Sequence, residues 1–228
     1  MFSSDATERM PQTKSERTRA ALREIALRSF RERGYDETTI RLIAAEAGVS
    51  VGTTNYHFAS KNHLVQELYL EVQERHRAVA EPLLAEAPGL VDRLAIVYRT
   101  GIAELEPYRA HAAEFVSASI SPRSPINPLS HESSAALGVL EDLFHEAVEG
   151  SGHALPADIR DLLPRALVLA HLLLALFWVY DSSPDQRRTR ELLTRGLALF
   201  TVALPFLRLP VVRGPLRQLL QLLGGVTA

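Results

Sequence analysis

The sequence predicts an all-α protein, and three observations carry that expectation. Apolar residues recur three and four apart through most of the 228 residues, the spacing that lines one face of a helix. Capping residues, glycines and prolines fall at the ends of these runs. No stretch alternates apolar and polar residues as a half-buried strand would, and there is no internal repeat or low-complexity tract.

The first run, RTRAALREIALRSFRERGY from Arg17, places Leu22, Ile25, Ala26, Ser29 and Phe30 on one face, with arginines and glutamates over much of the other. Gly34 suits the left-handed residue that ends such a helix. DETTIRLIAAEAG then gives a short second helix, capped by Thr38 or Thr39, with Ile40, Ile43 and Ala44 inward and Gly48 as its stop. A third, polar helix over 50–56 follows a tight turn. Ser60 caps a long helix from Lys61, with Leu64, Leu68 and Val72 in one stripe. Pro82 and residues 87–89 mark a boundary. Helices are expected beyond it over 90–105, 107–119, 128–149, 156–181 and 184–205. Their connectors include a proline- and serine-rich loop over 121–130 and a second loop over 149–156. Ser183, Pro184 and Gln186 read as a capping box with proline in the first turn. Pro205 ends the last long helix, and GPLRQLLQLLGG adds a short terminal one.

Composition narrows the function classes. A hydrophobic share of 46% fills an ordinary core. The absence of cysteine excludes disulfides and zinc-thiolate sites. The polar N-terminus lacks an apolar signal core, which points to the cytoplasm. The run Ala166 to Tyr180 is apolar at every position except His171. It is shorter than the roughly 20 residues of a membrane span, so it reads as a buried or subunit-facing helix and not as a membrane anchor. The formal charge is -2, yet residues 9–61 carry ten Lys and Arg against six acids. A basic N-terminal part on an acidic body suits a polyanion at one end.

Within that basic part, AGVSVGTTNYHFASK concentrates hydrogen-bonding side chains between two amphipathic helices. Two short helices joined by a glycine turn, the second polar, form the pattern of a helix-turn-helix. Its polar face needs no apolar stripe when its partner is a DNA groove. Ser50, the threonines, Asn55 and Tyr56 are able to reach phosphates, and asparagine can read adenine. Gly52 permits close backbone approach. Lys61 joins an ammonium to the free N–H groups of a helix start. The competing reading is a capped surface turn with aromatics plugging the core, and Phe58 is expected to be a core residue in either case.

The stretch from Arg17 to about Tyr69 resembles the DNA-binding domain of TetR-family transcriptional regulators. The resemblance rests on RERGYDETTI and IAAEAGVSVGTTNYHFASKNHL. These contain the aromatic after the first glycine, the paired threonines, Ala-Gly-Val-Ser, the aromatic-His-Phe cluster and Ser-Lys. It implies that Val51, Gly52, Thr53 and Asn55 lie at or near base edges, while Tyr56, His57, Lys61 and either Thr38 or Thr39 hold phosphates. Val51 stands where a lysine or polar reader is common, and Asn55 where a tyrosine is common. Val51 therefore offers only apolar contact.

The resemblance also implies the organisation of the rest. Residues 1–14 are expected to be a flexible tail, 15–61 the three-helix DNA-binding domain, and 62–228 a helical effector-binding and dimerisation domain connected through helix 62–86. The partners implied are double-stranded operator DNA, a small effector and a second copy of the chain, packed through helices near 156–181 and 184–205. The implied role is a repressor, with an activator of the same fold as the alternative. Pocket candidates are Tyr98, Tyr108, His111, Phe115, Phe144, His171 and Trp178, each equally readable as a core residue. Few basic residues fall on the apolar faces, which favours a largely apolar effector. Catalysis, cofactors and metals are not expected. There is no Glu-x-x-His pair, P-loop or Gly-x-Ser-x-Gly, and Asp142-x-x-His145 is single.

Overall fold

The computed structural model describes residues 13–225, and no strand occurs among them. The expected tail over 1–14 lies, up to residue 12, outside the described residues. Thr13 already belongs to the fold. It caps α1 (Lys14–Glu37) in a reciprocal capping box with Glu16. Gly34 interrupts α1 at φ 79°, a conformation that only glycine adopts at little cost. The last turn is thereby redirected toward α2 (Ile40–Glu46). Then follow α3 (Val51–His57) and the long α4 (Lys61–Glu86). Leu22, Phe30, Ile43, Phe58, Leu64 and Leu68 are almost wholly buried and lock these four helices together. Arg23 ties α1 to α4 through Glu67 at 2.8 Å and Glu71 at 2.6 Å.

The body is built from α5 (Leu90–Leu105), α6 (Ala112–Ser119), α7 (Ser134–Glu149), α8 (Ala157–Arg160), α9 (Leu163–Tyr180), α10 (Arg187–Ala203) and α11 (Pro210–Gly224). Helices α4, α5, α7 and α9 pack around a core that includes Leu84, Leu94, Val97, Leu140, Phe144 and Leu174. The two cores meet where Tyr108 and Ile126 of the body join the N-terminal cluster.

Several sequence expectations change in detail. Pro82 does not end a helix and lies inside α4. The backbone bond it removes belongs to Ala78, which is exposed and free to bind water. The expected helix 107–119 splits into a 3-10 segment over Glu106–His111 and α6. Helix 128–149 begins six residues later, at Ser134. Helix 156–181 breaks after Arg160, before Pro164 in the first turn of α9. The terminal helix is longer than GPLRQLLQLLGG and contains Pro215.

The capping box expected at Ser183 does not form. Asp181 does that work, its carboxylate accepting the Thr189 amide at 2.8 Å, the Thr189 hydroxyl at 2.7 Å and the Ser183 hydroxyl at 2.6 Å. Burial alone would raise the Asp181 pKa. These hydrogen bonds outweigh burial and hold it well below the usual carboxylate range.

Candidate DNA-reading helix and body cavity

The candidate reading helix, α3, is held by two anchors. Thr54 and Phe58 are buried against the N-terminal core, and the Thr54 hydroxyl donates to the Ser50 carbonyl at 3.3 Å. They fix the rotation of α3, so Val51, Gly52, Asn55 and Tyr56 face outward. Tyr56 is 81% exposed, its ring edge against His57 at 5.1 Å. Ser50 caps the helix by accepting the Thr53 amide at 3.0 Å, and the two hydroxyls stand 2.9 Å apart. Both side chains shape the helix start as well as face the surface. Sequence reasoning did not single out Thr54 as the inner anchor.

The paired threonines divide their roles. Thr38 is fully buried, donates to the Gly34 carbonyl at 2.7 Å and pairs with Ser29 at 2.9 Å. It is a structural staple and cannot meet a phosphate. Thr39 is exposed and caps α2 by accepting the Leu42 amide at 3.2 Å. Beside it, Arg41 is exposed in the first turn of α2 and is a phosphate candidate that the motif did not mark.

Lys61 lies half-buried at the foot of α4. Its ammonium donates to the Tyr35 carbonyl at 2.9 Å and sits 3.8 Å from the centre of the Tyr35 ring. Burial lowers its pKa, partly offset by Asp36. One of its three N–H donors is thus spent on the end of α1, leaving two for a phosphate.

The body contains a cavity of about 580 Å³ between α4, α6, α7 and α9, in the range of small-molecule sites. Of the seven sequence candidates, Tyr108, Phe115, His171 and Trp178 line it. Tyr98 and Phe144 stand behind His171, with ring centres 5.9 and 6.1 Å from it. His111 is not a cavity residue. It bridges the body to α1, with Nδ1 3.1 Å from Glu114 and Nε2 3.2 Å from the Glu32 carbonyl.

His76 was not foreseen, although Leu68, Val72, His76 and Ala80 step by four along one buried face of α4. Its ring stacks on His171 at 5.7 Å, and its Nε2 donates to the Val97 carbonyl at 2.8 Å. Burial pushes the His76 pKa down to about 4, against some support from Val97. Burial, with His76 alongside, pushes His171 down to about 3. The unfolded chain takes up these protons near the ordinary histidine value of about 6.5. The stability due to neutral burial is therefore complete above that pH and lost as pH falls toward 4 and 3. Resistance to denaturant should fall as pH is lowered from 6.5 to 4. His171→Phe should flatten that slope by up to about 1.4 kcal/mol per pH unit. Equal slopes for the variant and the parent would contradict the assignment.

No cluster of three metal-ligating side chains occurs among the described residues.

Comparison with known proteins agrees with this architecture. Residues 22–68 match the family described as bacterial regulatory proteins, tetR family, and residues 93–214 match the tetracyclin repressor-like C-terminal domain. The fold and its parts are those of a helix-turn-helix transcriptional regulator. The chain belongs to the TetR family.

Among curated relatives, TtgR of Pseudomonas putida is 39% identical over 86 residues, 38% of this chain and 40% of that protein. The repressor KstR2 of Mycobacterium tuberculosis is 48% identical over 50 residues, 22% of this chain and 25% of that protein. An uncharacterised regulator of the same organism is 32% identical over 91 residues, 37% of this chain and 43% of that protein. The chain thus spans less than half the length of these relatives. Solved structures resemble it more completely. FadR of Thermus thermophilus, in complex with lauroyl-CoA, is 23% identical with a TM-score of 0.59, covering 79% of this chain and 93% of that one. GusR of Salmonella enterica is 23% identical with a TM-score of 0.55, covering 85% and 98%. At these identities the likeness is one of fold.

Proposed function

We propose that this protein is a cytoplasmic, sequence-specific DNA-binding regulator, a repressor released from its operator by a largely apolar small molecule. The observation that carries this reading is α3. Thr54 and Phe58 anchor it from within, while Val51, Gly52, Asn55 and Tyr56 face outward. Residues 15–61 act as the reading head, and 62–228 as the effector and dimer body with α4 between them. Val51, Gly52, Thr53 and Asn55 lie at base edges. Thr39, Ser50, Tyr56, His57 and Lys61 serve the phosphates. The family membership, the KstR2 repressor among its relatives and the liganded FadR among its structural neighbours support the regulator and effector roles.

The active species is a homodimer. Helix α9 leaves Leu173, Phe177 and Tyr180 exposed at helical spacing, and α10 leaves Leu192, Leu199 and Val202. By length and composition the segment 157–180, α8 and α9 taken together, is apolar enough to cross a membrane. Two adjoining apolar stripes on α9 and α10 are instead suited to cover a second copy of themselves. Dimerisation would set two reading helices one DNA turn apart, about 34–36 Å. The effector acts by binding more tightly to the form that does not fit DNA. No feature of the site calls for catalysis.

Asn55→Ala tests the reading head. If Asn55 reads a base, the variant should lose about 1–3 kcal/mol at the preferred operator and relax specificity at one position, measured by binding to a set of single-base operator variants. An unchanged sequence preference would assign Asn55 to the phosphates.

A further inference from the structure

The hydroxyl and amide groups around the body cavity are spent within the protein. The Tyr69 hydroxyl donates to the Ile126 carbonyl at 3.0 Å, and the Tyr108 hydroxyl accepts from Arg75 at 3.3 Å. Ser119 donates to the Val116 carbonyl at 3.2 Å, and Ser133 to the Asn127 carbonyl at 2.8 Å. The Asn127 amide is used at both ends, donating to the Ser121 carbonyl at 3.1 Å and accepting the Leu129 amide at 2.8 Å. All five residues line the cavity.

The two polar rings of the wall offer a ligand carbon and not nitrogen. His171 and Trp178 line the cavity, yet His171 Nδ1 and Trp178 Nε1 are sealed from any visiting molecule. The other edge of His171, Cε1 and Nε2, packs on Gly101 of α5, which does not line the cavity. Gln73 Oε1 stands 3.3 Å from His76 Nδ1. Among the described residues of the wall, the Gln73 amide nitrogen is then the one side-chain group neither bonded nor sealed. No Asp, Glu, Lys or Arg lines the cavity, so an ionised group inside would lack a counter-charge. The rim is apolar as well, since Ile120 and Leu173 line the cavity and are 67% and 66% exposed.

We propose that this cavity selects hydrocarbons: its ligand is an uncharged hydrocarbon body with no more than one hydrogen-bonding group, held by apolar burial and not by paired polar contacts. The selection works by exclusion. A hydroxyl carried inside gives up its water and finds no partner on a wall whose polar groups are bonded or sealed, so each one lowers affinity. A polar metabolite of the same size is rejected without any clash. This inference rests on the effector-binding reading above and names the ligand chemistry of that cavity.

Trp178 is the only tryptophan in the chain, so its fluorescence reports the cavity directly and without DNA. The full-length protein is titrated with biphenyl, biphenyl-4,4′-diol and biphenyl-4,4′-dicarboxylate, which share one apolar body and differ only in their termini. Biphenyl should bind most tightly. The diol should bind roughly 5- to 150-fold more weakly, the loss expected for a hydroxyl left without a partner. The dicarboxylate should not bind over the same range. Val116 is half-buried on α6 and lines the cavity, so Val116→Phe should take up part of the space and weaken biphenyl. If that variant fails to fold, the parent protein's series still decides. A diol that binds as tightly as biphenyl or tighter, measurable binding of the dicarboxylate, no binding of biphenyl, or biphenyl binding untouched in a folded Val116→Phe would each overturn the proposal. Biphenyl that binds as expected but leaves operator binding unchanged would uphold the ligand chemistry and contradict the regulatory reading.

Discussion

Replacing Arg93 by alanine should destabilise the body by about 3 kcal/mol or more, a fall of about 6–12 °C in Tm for a chain of this size. Arg93 is a buried cation that donates to four main-chain carbonyls. Its guanidinium donates to the carbonyl of Leu84, to Ala147 at 2.9 Å, to Glu146 at 3.0 Å and to Ala87 at 3.2 Å. These carbonyls close the C-terminal ends of α4 and α7, where the helix dipoles are negative. One side chain therefore stabilises two helix ends and is itself stabilised by both. Alanine would remove a donor from all four carbonyls, although Leu84 and Glu146 keep the amides of Ala87 and Gly150. Arg93→Lys should recover only part of the loss, because three donors on a single ammonium cannot copy the planar fork. Thermal unfolding followed by circular dichroism checks both variants. A loss within 1 kcal/mol for the alanine variant would mean that water replaces the guanidinium without penalty.

Gly101→Ala should also destabilise, although alanine is the better helix former by up to about 1 kcal/mol. A Cβ at position 101 would stand 2.3 Å from His171 Cε1 and 2.8 Å from His76 Cε1. The glycine is the floor on which the two imidazoles stack, where α4, α5 and α9 meet. Forcing them apart should cost about 1–3 kcal/mol, so after the helix gain of about 1 kcal/mol the expected net loss is up to about 2 kcal/mol. The pairing with His171 makes the prediction specific. In the double variant Gly101→Ala with His171→Ala, the closer clash disappears and leaves the His76 ring room to shift, so the combined loss should be smaller than the sum of the single losses. Strict additivity would show that the methyl is accommodated elsewhere. Because α4 leads to the proposed reading head, Gly101→Ala should alter operator affinity as well as stability.

Much of this was legible in the sequence, and the limits have physical causes. Helix periodicity and capping residues located the starts of α2 and α4 closely, at Thr39 and Ser60, whereas Thr13, the cap of α1, was placed in the tail and Ser50, the cap of α3, was counted inside its helix. Thr38 and Thr39 could not be told apart by type. Only the turn redirected at Gly34 decides which one points inward. Arg93 and His76 were hidden by chemistry, since a charged or titratable residue is expected at the surface until its stripe is traced. The stripe was present in both cases, with Leu90, Leu94 and Val97 around Arg93 and Val72 and Ala80 around His76. His111 was misplaced because an aromatic, polar residue beside Tyr108 suits a pocket wall equally well. Its position against Glu32 depends on how α6 meets α1, which no local pattern encodes.

The most direct test is fluorescence anisotropy of the purified full-length protein with labelled DNA from upstream of its own gene. A scrambled duplex serves as control, and both are titrated at several salt concentrations. DNA selected from a random library provides a second source of sites. A dimer reading phosphates and bases should bind the specific DNA tightly, discriminate against the scrambled duplex and lose affinity steeply as salt rises. Weak binding that is equal for upstream, selected and scrambled DNA would contradict the account.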